Sequence, residues 1–378
     1  MKTAVSFCFA LLCVPAPATA AQSRFTAYGG AEAHADPDRP AHGMLILAWD
    51  GVDVVGDTDL AVEFNTDTLR FAVNELALMD DTSLNAQLTG EAFIAGLSRD
   101  YWQDLVHRGD RTFTASYLQG QLWTKTRFLD ALYVEAEVGL RRWFFSVNGD
   151  ETGEDFRLPP EVIVFEPRLR LTWWALSDDA AWHARHRLYP RLRGWAVGVE
   201  GGLDLRTDAH NWGGGAEGPD PRNAPQKGLA RVRPWALAGW QTTPSVRWQG
   251  SLEAGFAGGE DDLTRRRIGG LTPYVAQVPG VFWAHDLADR YVHMQTTLPL
   301  HVGGDVEVGP VLAAAAMSDL HRTGDTSTYG IEWGAGLAAD LRLGRWQVDA
   351  RGGYSPSLSA RADKAAWNVF LGGGWATD

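Results

Sequence analysis

From about Ala131 to Trp375 the chain switches between apolar and polar at every second residue, and no other feature limits its possible folds as strongly. Leu132, Val134, Ala136, Val138 and Leu140 alternate with Tyr133, Glu135, Glu137, Gly139 and Arg141. Successive side chains of a strand point to opposite faces, so this segment has one oily face and one charged face. A water-soluble sandwich buries its oily face. Here the pattern recurs in long strands that end in Trp and Tyr, as in barrel strands that face lipid.

Membrane crossing by strands is also what remains once helices are ruled out. Beyond residue 20 no uninterrupted apolar run reaches the ~18 residues that a spanning helix needs. Residues 1–20 themselves combine Lys2, an apolar stretch from Ala4 to Val14 and the small-residue site Ala18-Thr19-Ala20. That is the pattern of a secretory leader cleaved before Ala21. Both cysteines, Cys8 and Cys13, lie inside it, so the processed protein is expected to contain no thiol and no disulfide. Leu12 ahead of Cys13 argues against a lipoprotein anchor.

The 17 tryptophans point the same way. Trp143, Trp173, Trp195, Trp346 and Trp375 fall near predicted strand ends, where an indole can keep its ring in the apolar layer and its N–H at water. They are expected to form the interfacial girdle. A net charge of -13 argues against a nucleic-acid partner. The expected surroundings are outer-membrane lipids, with periplasmic or envelope proteins as candidate partners.

Strands are predicted near 24–33, 43–50, 58–65, 67–78, 86–97 and 112–127, followed by the clearer second half. Short turns at Leu129-Asp130, Thr243-Pro244, Gly303-Gly304 and Gly344 alternate with long connections near 147–159, 207–227, 258–288, 318–326 and 355–364. This asymmetry is that of a bacterial barrel with turns in the periplasm and loops outside. Residues 21–378 are therefore read as one all-β domain, a transmembrane antiparallel barrel of about sixteen strands, with fourteen as the alternative. Trp367, Val369, Leu371 and Trp375 of the last strand face outward, and that strand closes the sheet against the first.

The longest connection, 258–288, holds the most unusual local sequence: Gly258-Gly259-Glu260-Asp261-Asp262, the run Arg265-Arg266-Arg267-Ile268-Gly269-Gly270, and Pro279-Gly280-Val281. A barrel of this size encloses more space than its own side chains fill. A loop of this length can enter it. Three consecutive arginines are costly in an apolar place but can pair with carboxylates, and Glu253, Glu307, Glu332 and Asp349 are predicted to point inward from nearby strands. Arginines on a solvated outer loop are the other reading of the same run.

This end of the chain resembles the BamA-like outer-membrane assembly superfamily. The resemblance rests on Arg267-Ile268-Gly269-Gly270 after a strand, the Pro279-Gly280 pair, Asp289-Arg290-Tyr291 opening the next strand, and five strands to follow. It covers roughly 120 residues and implies a lumenal loop between strands eleven and twelve. Two departures stand out: Pro279-Gly280-Val281 occupies the place of the family's Arg-Gly-aromatic tip, and no periplasmic POTRA domains precede the barrel.

The functional expectation is a non-enzymatic role in membrane assembly or translocation, with a porin for small solutes as the alternative and a lipid hydrolase as the least favoured reading. The hydrolase reading would use His293, Gln295 and His301 on one strand face. His183 and His186 have helix-face spacing, but the sequence fixes no third ligand, so no metal or cofactor is expected. Paired glycines such as Gly269-Gly270 and Gly352-Gly353 do not sit between a strand and a helix as phosphate loops do. Strand glycines are read as relieving crowding where the wall bends, and loop glycines as supplying positive φ.

Overall fold

The computed structural model describes residues 22–377 apart from 36–40, 56–57, 92–97, 100–101, 104–105, 108–110, 178–191, 215–217, 219–222, 259, 262, 272–275, 283–285 and 319–329. The expected leader and the His183 and His186 segment lie outside the described residues.

Sixteen antiparallel strands form the wall. They are β1 (Gln22–His34), β2 (His42–Val55), β3 (Thr58–Asn65), β4 (Thr68–Met79), β5 (Thr82–Glu91), β6 (Arg111–Leu129), β7 (Leu132–Thr152) and β8 (Ile163–Leu176). The second half comprises β9 (Gly194–Arg206), β10 (Gly228–Thr243), β11 (Val246–Ala257), β12 (Arg290–Thr297, resuming at Leu300–Gly303), β13 (Val306–Met317), β14 (Gly330–Leu343), β15 (Trp346–Tyr354) and β16 (Trp367–Ala376). Each pairs with its neighbour in sequence, and β16 pairs with β1 from Thr26↔Ala376 to His34↔Asn368. The sheet therefore closes and has no free edge.

The outer surface carries the alternate apolar residues. Leu140, Leu169, Leu337 and Leu371 are each more than half exposed, and comparable residues recur around the whole wall. A belt of that extent is stable only against hydrocarbon. Tryptophans mark the short-turn end: Trp173 stacks on Trp195 at 6.2 Å, Trp240 on Trp248 at 5.0 Å, and Trp346 stands opposite Trp375. Trp143 departs from the expected girdle. It is 5% exposed and points inward, in a buried cluster with Phe113, Phe156 and Trp212.

Two strands differ from the expected pattern for local reasons. Strand β4 alternates poorly because Glu75 takes a positive φ of 58° at a bulge, with a register shift between Val73 and Leu76. Val73 is exposed before the bulge and Leu76 and Leu78 after it, so outward parity changes from odd to even. Strand β5 runs from Thr82 to Glu91 rather than near 86–97, because the Asp80-Asp81 turn precedes it.

Inside, opposite charges stand face to face across neighbouring strands. Glu135, Arg170, Glu200 and Arg233 form one row across β7 to β10. Arg170 reaches both Glu135 and Glu200 at 2.6 Å. Parallel to it, Arg141 and Arg168 hold Glu166 at 3.0 and 3.3 Å, and Arg231 bonds Asp204. Directly opposite residues of unlike charge stabilise a sheet, and this half of the wall is filled by them.

Candidate functional site

The connection between β11 and β12 is the site that the rest of the barrel is arranged to receive. Arg266–Ile268 pairs with Asp286–Ala288, and bridges join Ile268 to Ala276 and Gly270 to Val278. This gives the loop a small core of its own. Ile268, Val278, Val281 and Phe282 are at most 1% exposed, packed with Tyr291 of β12, Ala315 and Met317 of β13, and Leu358. Leu358 belongs to a helix, α1 (Pro356–Ala362), in the connection between β15 and β16. Ser355 caps that helix by accepting from the Leu358 amide, which fixes the helix over the loop.

One end of the loop is fastened to β9. Asp261, 1% exposed, accepts from Arg206 Nη1 at 2.9 Å, Thr264 Oγ1 at 2.9 Å and Trp212 Nε1 at 3.2 Å. Burial alone would raise the pKa of its carboxyl, but these donors hold it below the usual range. Its neighbour Glu260 is pushed up to about 7 by burial, which Arg231 at 3.7 Å only partly offsets.

The other end reaches the closing seam. The Leu271 amide donates to Glu32 Oε2 of β1 at 2.8 Å, and the Gly280 amide to Asn368 Oδ1 of β16 at 2.8 Å. Asn368 Nδ2 donates both to Glu32 Oε1 at 3.0 Å and to the Val281 carbonyl at 2.9 Å. Pro279 and Gly280 fit because the facing wall positions on β14 and β15 are Gly334 and Gly353, where a Cβ would strike Pro279. Gly280 has a φ of 81°, a conformation open to glycine at little cost.

Of the three arginines, Arg266 Nη2 bonds Glu253 Oε2 at 3.0 Å, and Tyr291 Oη donates to the same carboxylate. Arg265 is buried and Arg267 half-buried in the loop. The remaining expected wall carboxylates hold other groups. Glu307 takes Arg247, Glu332 takes Arg361 of α1 at 2.7 Å, and Asp349 accepts from Tyr28 Oη at 2.9 Å. Sequence reasoning passed over Glu32, Asn368 and Arg361, and it marked Asp261 in the loop without pairing it with Arg206. Strand parity already places Asn368, between outward Trp367 and Val369, on the inner face.

His293 and His301 do not form one site. His293 is buried and donates from Nε2 to the Gln277 carbonyl at 2.8 Å, whereas His301 is exposed near the short-turn end. Eight residues of strand separate them, roughly 26 Å. Among the described residues no group of three or more His, Cys, Asp or Glu could hold a metal ion.

Beneath the loop lies a cavity of about 530 Å³, reaching from the underside of Arg266 and Gln277 to Pro299 and Arg342 near the short-turn end. Arg233, Arg247, Arg266, Arg342 and Arg351 line it. Among the described residues its carboxylates are Glu253, Glu307 and Asp340. Gln249, Gln277 and Gln295 add amides, and Trp235 and Leu237 supply an apolar wall.

These features define a class: a closed sixteen-stranded antiparallel barrel with a lipid-type exterior and a long loop bonded to its inner wall between strands eleven and twelve. Among solved structures, the chain resembles BamA from Haemophilus ducreyi lacking POTRA domains 1-3, with a TM-score of 0.62 at 10% identity, over 93% of this chain and 70% of that one. It also resembles CdiB from Escherichia coli (TM-score 0.56, 12% identity, 93% of this chain and 63% of that one). CdiB from Acinetobacter baumannii gives a TM-score of 0.53 at 11% identity, over 94% of this chain and 60% of that one. The chain shares the fold of these barrels and spans 60–70% of their lengths. No family model matches it, and no curated protein matches it in sequence.

Proposed function

We propose that this protein is an exported outer-membrane barrel with a non-enzymatic role in membrane assembly or translocation, and that the loop between β11 and β12 occludes its lumen and braces it. On this reading residues 1–20 are removed on export and the apolar belt meets outer-membrane lipid. The observation that carries the proposal is the double attachment of the loop, through Asp261 to β9 and through Leu271, Gly280 and Val281 to β1 and β16. In an open pore for small solutes the same loop would merely narrow the channel, for which attachment along one side of the wall suffices. Arg266 on Glu253 adds a third attachment at β11. The likeness in fold to BamA and CdiB supports the assembly or translocation class rather than any particular client.

The test is reconstitution. Liposomes containing the purified barrel should speed the folding of an added small eight-stranded barrel, followed by its heat-modified gel shift, relative to liposomes holding an unrelated barrel. Equal rates would remove the assembly role.

A further inference from the structure

The cavity beneath the loop is not needed for occlusion, and its chemistry runs against that of the chain. The whole protein carries a net charge of -13, yet among the described residues five guanidinium groups and three carboxylates line this chamber. One row on β7 to β10 supplies part of that excess, since its end residue Arg233 also touches Glu200, while Arg351 lies outside the rows. There Arg and Glu alternate one for one, whereas the chamber lies beside them and is open to solute. Arg233, at the end of one such row, keeps a side chain 40% exposed while touching Glu200 at 3.4 Å.

We propose that the chamber is a binding site for a small organic polyanion, a hydrophilic solute with two or more carboxylate or phosphate groups. Guanidinium forks match the oxygen spacing of both groups and remain charged at any working pH. Low-dielectric walls around like charges strengthen the local potential. The volume falls within the ~300–1,000 Å³ range of small-ligand sites. Gln249, Gln277 and Gln295 offer amide donors, and Trp235 and Leu237 face a ligand's carbon skeleton.

The site also joins two parts of the molecule. Arg266 and Gln277 come from the loop, whereas Arg233, Arg247, Arg342 and Arg351 come from the wall. A ligand touching both binds the docked loop better than a displaced one, and so favours docking.

The experiment is calorimetric titration of the processed protein in lipid nanodiscs with citrate and with inorganic pyrophosphate, and with spermidine and maltose as comparators. At least one anion should bind saturably with a Kd at or below about 1 mM, more weakly as salt rises. Replacing both Arg233→Gln and Arg351→Gln should weaken it by about tenfold or more, while Arg233→Lys with Arg351→Lys keeps the charge without the fork and should bind with an affinity between the two. Both double variants are first checked for the folded gel shift, and should the glutamine pair not fold, the lysine pair and the salt dependence decide. The proposal fails if neither anion binds, if spermidine or maltose binds as well, or if the folded glutamine variant binds like the parent protein. Since the titration measures binding alone, its failure leaves the assembly reading standing, and the reverse also holds.

Discussion

Asn368 on the last strand donates to Glu32 on the first at 3.0 Å, although 336 residues separate them, and the same side chain bonds the loop at Gly280 and Val281. Both residues are fully buried. One amide thus ties three segments at the seam where the barrel closes. The backbone ladder between β1 and β16 zips the strands, while this cluster fastens the loop over them.

Asn368→Ala removes two donors and one acceptor at once and leaves the Glu32 carboxylate short of a partner. A buried polar group without its partner costs ~1–3 kcal/mol, so a loss on the order of 3 kcal/mol is expected. The midpoint of the heat-modified gel shift should fall clearly. An unchanged midpoint would show that the seam does not depend on this cluster.

Replacing Arg265, Arg266 and Arg267 together by Ala should also lower that midpoint. Arg266→Ala alone should account for a larger share than Arg267→Ala, because it leaves the Glu253 carboxylate with Tyr291 but without its cation. Arg127→Ala, at the exposed Asp81 pair, is the control and should leave the midpoint nearly unchanged. Equal effects from all three single variants would contradict the brace.

Gly280→Ala places a methyl group against the backbone of Tyr354 and Ser355 at a positive φ of 81°. It should undock the loop tip. Gly344→Ala also has a positive φ, 58°, but a Cβ there meets nothing, so only the conformational cost of roughly 1 kcal/mol applies. Protease cleavage within 272–282, much faster in Gly280→Ala than in Gly344→Ala, is the expected readout.

Glu260 and Asp261 give pH effects of opposite sign. The folded-state pKa of Glu260 is about 7, above its ordinary 4.5, so between these values the folded protein holds more protons than the unfolded chain. Stability contributed at this position therefore falls as pH rises from about 4.5 to about 7. Glu260→Gln should remove that decline and be more stable than the parent protein at about pH 8. Asp261 is depressed, so its contribution is present above the ordinary carboxylate range and is lost only as pH falls through its lower folded value. Gel-shift midpoints measured from acid to alkaline buffer separate the two. A Glu260→Gln profile parallel to that of the parent protein would contradict the assignment.

Strand parity made the wall legible, because a lipid-facing exterior forces every second residue to be apolar. It failed where parity itself changed, at the Glu75 bulge, which no residue type announces. Trp143 shows the cost of reading residue type ahead of parity. The alternation that sends Leu140 outward sends Trp143 inward, where it joins Phe113 and Trp212. The unusual composition of 258–288 marked the loop, and Glu253 was named among the partners of its arginines. Its other attachments were illegible for a different reason. They join residues as distant as Leu271 and Glu32, and only closure of the barrel brings those together.

Planar-bilayer recording of the purified protein tests the occluded lumen most directly. With the loop bonded to β1, β9, β11 and β16, the parent protein should show only rare, unstable openings, and excision of residues 263–282 should convert these to steady ohmic conductance. Steady ohmic conductance from the intact protein would contradict occlusion and make it a porin.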